Sequence, residues 1–194
     1  MKVRFVFGLM ALILVSCKGK SAYENKLDMF RSRQIAFFAL EETSPLDSLE
    51  RINFKGIRYF PINESLRINA SLMWLPQTVF TELKHTGGDS RPYMQVAEIH
   101  FSINDKPQKL TAYQTSEMAN KHTFFIPFSD ATNGVDTYGG GRYLDVIYNP
   151  ASTQLELDFN FAYAPYCAYT HHYSCPMIPA GNSLTVKIEA GERL

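Results

Sequence analysis

Leu66-Arg67-Ile68-Asn69-Ala70-Ser71-Leu72-Met73-Trp74 sets an apolar side chain at every second position, with Arg67, Asn69 and Ser71 between them. Successive side chains of an extended chain point to opposite faces, so this spacing predicts a half-buried β-strand. The same texture continues toward the C-terminus. Residues 79–84 lead to a turn at Gly87-Gly88-Asp89-Ser90-Arg91-Pro92, and residues 96–103 and 109–114 flank the short connection Asn104-Asp105-Lys106-Pro107. Residues 122–128, 142–148, 154–159 and 184–190 bring the expected count to eight or nine strands. The connections are too short for crossover helices, so the strands must be largely antiparallel. The expected fold is therefore mainly β, an antiparallel barrel-like or sandwich domain. Barrel-like closure is preferred because it leaves fewer exposed edges.

One or two helices precede the strands. Ser21 and Glu24 have the spacing of a capping box, after which Tyr23, Leu27, Phe30, Phe37 and Phe38 recur at near-helical intervals through Glu42. The opposite face carries Lys26, Arg31, Arg33 and Glu41. That face is not strongly basic, so the apolar stripe is expected to pack on its own domain rather than on a membrane surface. A second, short helix is expected with Ser44 as cap, Pro45 as first helical residue and Asp47 in the first turn, ending near Arg51.

The chain opens with Lys2 and Arg4 and then runs 11 residues, 5–15, without a charge. A membrane span needs about 20 apolar residues, so this pattern reads as a secretory leader instead. The run ends Leu14-Val15-Ser16-Cys17, which resembles the lipobox of bacterial lipoproteins. The resemblance implies a signal peptide over residues 1–16, a lipidated Cys17 opening a tether over 17–21, and one domain over 22–194. The expected partner is then a lipid bilayer, reached through acyl chains on Cys17. The expected place is the cell envelope, at an outer membrane, since no aspartate follows Cys17. Without residues 1–16 the chain keeps 17 basic against 19 acidic residues. Such a balance predicts no nucleic-acid partner.

The densest unusual stretch is residues 124–175. Gly139-Gly140-Gly141 precedes Arg142-Tyr143-Leu144-Asp145, but no Gly-Lys-Ser/Thr follows, so it is no nucleotide loop. A structural turn and a ligand-facing loop both remain open. Alternation places Glu156, Asp158 and Asn160 on one strand face. A hairpin symmetric about Asn149-Pro150-Ala151-Ser152 would bring Arg142 and Tyr143 beside Phe159 and Asp158, where Arg142 could pair with Asp158 or Asp145. Cys167 and Cys175 are read first as a disulfide, which an oxidising exterior favours, with two separate thiols as the alternative. A weaker alternative joins them with His171 and His172 as metal ligands, or with those histidines and Asp158 as a cysteine nucleophile. No cofactor is expected, and no metal site is the leading reading.

Phe125-Ile126-Pro127-Phe128-Ser129-Asp130-Ala131-Thr132, Tyr138-Gly139-Gly140-Gly141-Arg142-Tyr143-Leu144-Asp145, Leu157-Asp158-Phe159-Asn160-Phe161-Ala162-Tyr163, Cys167-Ala168-Tyr169, Cys175-Pro176, Asn182-Ser183-Leu184 and Ala190-Gly191-Glu192 together resemble the bacterial and archaeal family catalogued as domain of unknown function 1684. The resemblance carries no activity. It implies that a shared site would lie among Asp130, Arg142, Asp145, Asp158, Asn160 and the two cysteines, with Tyr143 beside them. The leading expectation is an envelope lipoprotein that binds a small ligand or another envelope component. The alternatives are an enzyme, hydrolytic or cofactor-assisted, with its site around Arg142, Asp145, Asp158 and Asn160, and a structural envelope protein without a pocket.

Overall fold

A computed structural model describes residues 19–40 and 42–194. The expected leader, Cys17 and Glu41 lie outside the described residues. Helix α1 spans Ala22–Leu40 and opens on the expected box: Ser21 Oγ accepts from Glu24 N–H at 3.1 Å and Glu24 Oε2 accepts from Ser21 N–H at 2.6 Å. Helix α2, Ser48–Asn53, is capped by Asp47 with Glu50 returning the bond, and not by Ser44. The Ser44 hydroxyl is spent on the α1 exit, donating to Phe38 C=O at 2.7 Å. A third short helix, α3, covers Ser116–Asn120.

The strands are β1 (Arg58–Tyr59), β2 (Arg67–Lys84), β3 (Ser90–Ile103), β4 (Lys106–Gln114), β5 (Thr123–Phe128), β6 (Arg142–Ile147), β7 (Gln154–Asp158) and β8 (Glu192–Arg193). The opening stretch and residues 79–84 form one long β2, whose register with β3 shifts between Trp74 and Val79. Asn104 and Asp105 both have positive φ, as a two-residue hairpin turn requires. β1 pairs with β8, and the other six form one antiparallel sheet in the order β6-β5-β4-β3-β2-β7.

This sheet curls into a nearly closed barrel. Leu144 at one end of the order and Leu155 and Leu157 at the other share a single core with Ile99, Leu110, Phe124, Ile126, Phe128 and Phe159. Leu184, Ile188 and Ala190 fill the same core, yet residues 184–190 form no strand. β6 and β7 are the two ends of the sheet and not a hairpin, so Arg142 does not return beside Asp158.

The weakest ladder joins β4 to β5, through the pair Tyr113↔Phe125. A side chain supplies the missing pairing. Asn182, fully buried, accepts from Thr111 N–H at 2.8 Å and donates to Thr111 C=O at 2.9 Å and Pro127 C=O at 2.7 Å. Its amide stands in for a length of strand, meeting the rule that buried backbone groups find partners.

Candidate functional site beneath the first helix

Arg142 is wholly buried and faces the C-terminal segment. Its guanidinium donates to the carbonyls of Ile188 at 2.8 Å, Ala190 at 2.5 Å and Glu192 at 3.0 Å, and to Asp130 Oδ2 at 2.9 Å. The other Asp130 oxygen accepts from Thr132 N–H, Thr132 Oγ1 and Ile188 N–H. The partner of Arg142 is thus Asp130, and the pair clamps residues 188–192 onto the barrel. The guanidinium holds the carbonyls of Ile188 and Ala190 in an alternating segment that forms no strand, while Glu192, also held, begins β8. Gly141 belongs to the same construction: at φ +91 its added Cβ would lie 2.8 Å from Phe128 C=O. That favours the structural reading of the glycine run.

Asp158 and Asn160 form a second internal fastening. Tyr23 donates to Asp158 Oδ2 at 2.8 Å, and Asn160 donates to Tyr23 Oη at 3.0 Å, Asn63 C=O at 2.8 Å and Asp158 Oδ1 at 2.9 Å. Asn160 also accepts from Asn63 N–H at 2.8 Å. The start of α1 is thereby tied to the end of β7. Arg67 stacks over the Tyr23 ring at 4.7 Å and pairs with Glu156 at 2.6 Å.

Cys167 and Cys175 are free thiols, correcting the disulfide expectation. Cys167 N–H donates to Cys175 Sγ at 3.2 Å, and burial pushes the Cys175 thiol up to about 12. A thiol so raised is neither a ready nucleophile nor a ready metal ligand. The histidines do not join it: His171 is exposed, and His172 Nε2 lies 3.5 Å from Asp47. Asp47, Glu50 and His172 hold their ligand atoms within 4.8 Å of one another, but the two acids already cap α2. The weaker alternative of a metal set at Cys167, His171, His172 and Cys175 is not assembled among the described residues. Tyr143 Oη donates to Pro176 C=O and so also serves this loop.

Of the sequence candidates, Asp145 lines two adjoining cavities. The apolar stripe of α1 packs on the domain as expected, with Leu27 buried, Phe30 edge-on to Phe161 at 5.0 Å and Phe38 against Tyr169 at 4.8 Å. Between this stripe and the barrel lies a cavity of ≈ 230 Å³, walled by Phe30, Phe38, Phe161, Tyr163 and Tyr166. Two acidic residues, Asp145 and Glu192, line it, and among the described residues no basic one does. Tyr163 donates to Asp145 Oδ2 at 2.8 Å, and Tyr169 donates to Glu192 Oε1. Burial raises the Asp145 carboxyl above its usual range and lifts Glu192 to about 7, against opposing hydrogen bonds from the tyrosines. A second cavity of ≈ 320 Å³ adjoins the first and shares Asp145 and Phe161 as walls. Lys26 borders it, with its ammonium 5.2 Å from the centre of the Phe161 ring.

Sequence reasoning named Asp145 but not Glu192, Tyr163 or Tyr169 as site residues. Glu192 stood in the quoted Ala190-Gly191-Glu192, where its position next to a glycine gave no sign of burial.

The class defined by this architecture is a nearly closed antiparallel barrel, latched by its own C-terminal segment and roofed by a helix. Residues 52–193 match the family described as protein of unknown function DUF1684, and the chain belongs to that family. It is also similar to an uncharacterized protein of Haloarcula marismortui solved by solution NMR, at 32% identity and a TM-score of 0.69, covering 89% of this chain and 94% of that one. No curated protein matches it.

The expected lipid-anchored, outer-membrane envelope protein is corrected by these findings. Cys17 lies outside the described residues, and among the described residues no helix is long and apolar enough to cross a membrane. Neither the family match nor the archaeal relative brings lipidation with it. The ligand or enzyme site expected around Arg142, Asp145, Asp158 and Asn160 is corrected as well. Arg142, Asp158 and Asn160 are spent on two separate internal fastenings, which leaves them no converging chemistry.

Proposed function

We propose that the domain of residues 22–194 is a recognition module for an organic cation, received in the cavity beneath α1. The division of the chain at residues 16 and 21 is kept as part of this proposal. The observation that carries it is the pairing of five aromatic walls with two acidic residues in a cavity that, among the described residues, no base lines. Aromatic faces attract ammonium groups, by about 0.5–2 kcal/mol each depending on desolvation, and a nearby carboxylate adds a full counter-charge. Glu192 is buried and costly to ionise, and an incoming cation relieves that cost, while Asp145 stands at the exposed mouth of the cavity. Lys26 supplies an internal precedent, since its ammonium already sits over Phe161 from the adjoining cavity.

The test is a tetramethylammonium titration of the full chain followed by NMR of the ring resonances, with sodium chloride as the ionic-strength control. Saturable shifts at Tyr163, Tyr166 and Phe161 are expected, with affinity falling about tenfold in Asp145→Asn. In Lys26→Met the affinity should rise, because an intramolecular competitor has gone. Shifts that match the sodium control, or that ignore Asp145→Asn, would overturn the proposal.

A further inference from the structure

The larger cavity lies where the barrel fails to close. Tyr143 of β6 exchanges both backbone bonds with Tyr163, at 2.8 and 3.0 Å, while its partner across β5 is Pro127, which has no N–H to give. Backbone groups in an antiparallel strand point alternately to its two neighbours. Asp145 and Ile147 therefore turn their N–H and C=O groups to the same side as Tyr143, away from β5.

The phase of β7 is fixed in the same way. Leu72 N–H donates to Thr153 C=O at 2.8 Å, which turns residues 153, 155 and 157 toward β2. Gln154 confirms the alternation, since its outward N–H and C=O are both taken by the Ser152 hydroxyl, at 3.0 and 2.8 Å. Glu156 must then face outward too. Among the described residues no strand pairs with Asp145 and Ile147 on one rim, or with Glu156 on the other.

Two unpaired strand edges thus border one ≈ 320 Å³ slot. Its inner lining is apolar, from Leu144 and Val146, and its rim carries Asp145, with Glu156 held by Arg67, Asp158 bonded to Tyr23 and Asn160, and Lys26 of α1 at its border. Exposed edges are usually blunted by a lysine on the strand itself, but the charged strand residues on these rims are acids, and Lys26 reaches the slot only from α1. A second copy pairing β6 on β6 would oppose like charges at Asp145, which is unfavourable. Asp145 has no basic partner among the described residues.

We propose that this seam takes an extended basic peptide from a partner protein as an added strand, hydrogen-bonded to Asp145 and Ile147 on one side and Glu156 on the other. Alternation of the inserted strand sends one set of side chains inward onto Leu144 and Val146 and the other outward past the acids. The matching sequence alternates apolar and basic residues. The choice of a basic peptide rests on the acid-lined site proposed above, whereas the strand pairing rests on the ladder phase alone.

The experiment uses the ¹⁵N-labelled full chain and three end-blocked probes. These are Lys-Val-Lys-Val-Lys, the same peptide with its pairing amides N-methylated, and Glu-Val-Glu-Val-Glu. Amide exchange at Asp145 and Ile147 is expected to slow at least about tenfold with the first peptide, and not with the other two. Ile147→Pro should remove this protection while sparing the β5 ladder, because residue 147 does not bond toward β5. Equal effects of the plain and N-methylated peptides would overturn strand addition, and equal protection by the acidic peptide would overturn the basic preference. A tetramethylammonium arm separates the two ideas. Ring shifts without amide protection leave the cation cavity standing and the seam refuted; amide protection without ring shifts does the reverse.

Discussion

Arg142 and Asp130 meet at 2.9 Å with both side chains shut off from solvent. Attraction within the pair offsets the desolvation of each partner, but neither can remain alone without a large cost. Arg142→Met should therefore lower unfolding stability in urea by about 3–5 kcal/mol. The double variant with Asp130→Asn should recover part of that loss, since no unpaired charge then stays buried. Additive losses in the double-mutant cycle would contradict the coupling.

Glu192 makes stability depend on pH near neutrality. Its folded carboxyl is lifted from 4.5 to about 7, chiefly by burial, with Tyr169 and Arg142 acting against the rise and Tyr59 also facing it. The folded state holds this proton more tightly than the unfolded chain. Stability from this group is accordingly full below about pH 4.5 and is lost as pH climbs to about 7, by at most about 3 kcal/mol. Thermal melts from pH 4.5 to 8 should show that decline in the parent and a shallower one in Glu192→Gln. The remaining slope is expected from Asp145, whose carboxyl is raised in the same direction.

The cysteine loop should be indifferent to reductant. With both thiols free and Cys175 raised to about 12, melting temperature is expected to be the same with and without dithiothreitol. Mapped alkylation at pH 8 should label Cys175 only after unfolding, because it is buried as well as protonated. A Cys167–Cys175 cross-linked peptide in a digest of unreduced protein would disprove this.

Asn182 should matter more than its place in an irregular segment suggests. Asn182→Ala strands Thr111 N–H, Thr111 C=O and Pro127 C=O between two strands that barely pair. A loss of about 2–3 kcal/mol is expected, together with faster amide exchange at Thr111. Wild-type exchange at Thr111 in the variant would show that the strands close without it.

What could be read in advance was whatever repeats locally. Leu66 to Trp74 alternate and form β2, and Ser21 with Glu24 forms the box that opens α1. Residues 184–190 were read as a strand, and Leu184, Ile188 and Ala190 are indeed buried. That reading misjudged their backbone, whose carbonyls at Ile188 and Ala190 are held by Arg142, 46 residues upstream of Ile188. Ser44 and Asp47 are both good caps, and only the packing of the α1 exit decides which is free to act. Asp130 was named as a candidate but not as the partner of Arg142, since assuming a β6–β7 hairpin supplied a nearer carboxylate. Asp145 was recognised as a possible site residue, yet the cavity depends on α1, more than 100 positions earlier, and no periodicity reports that meeting.

The guanidinium clamp also imposes an order on biogenesis. A ribosome makes Arg142 and its counter-ion Asp130 before the three carbonyls that complete the clamp, so a nascent barrel holds a guanidinium with only its carboxylate partner until residues 188–192 arrive. Docking of that segment is then the step that commits the chain, and a polypeptide halted at residue 187 should stay open to chaperones and proteases however complete its strands are.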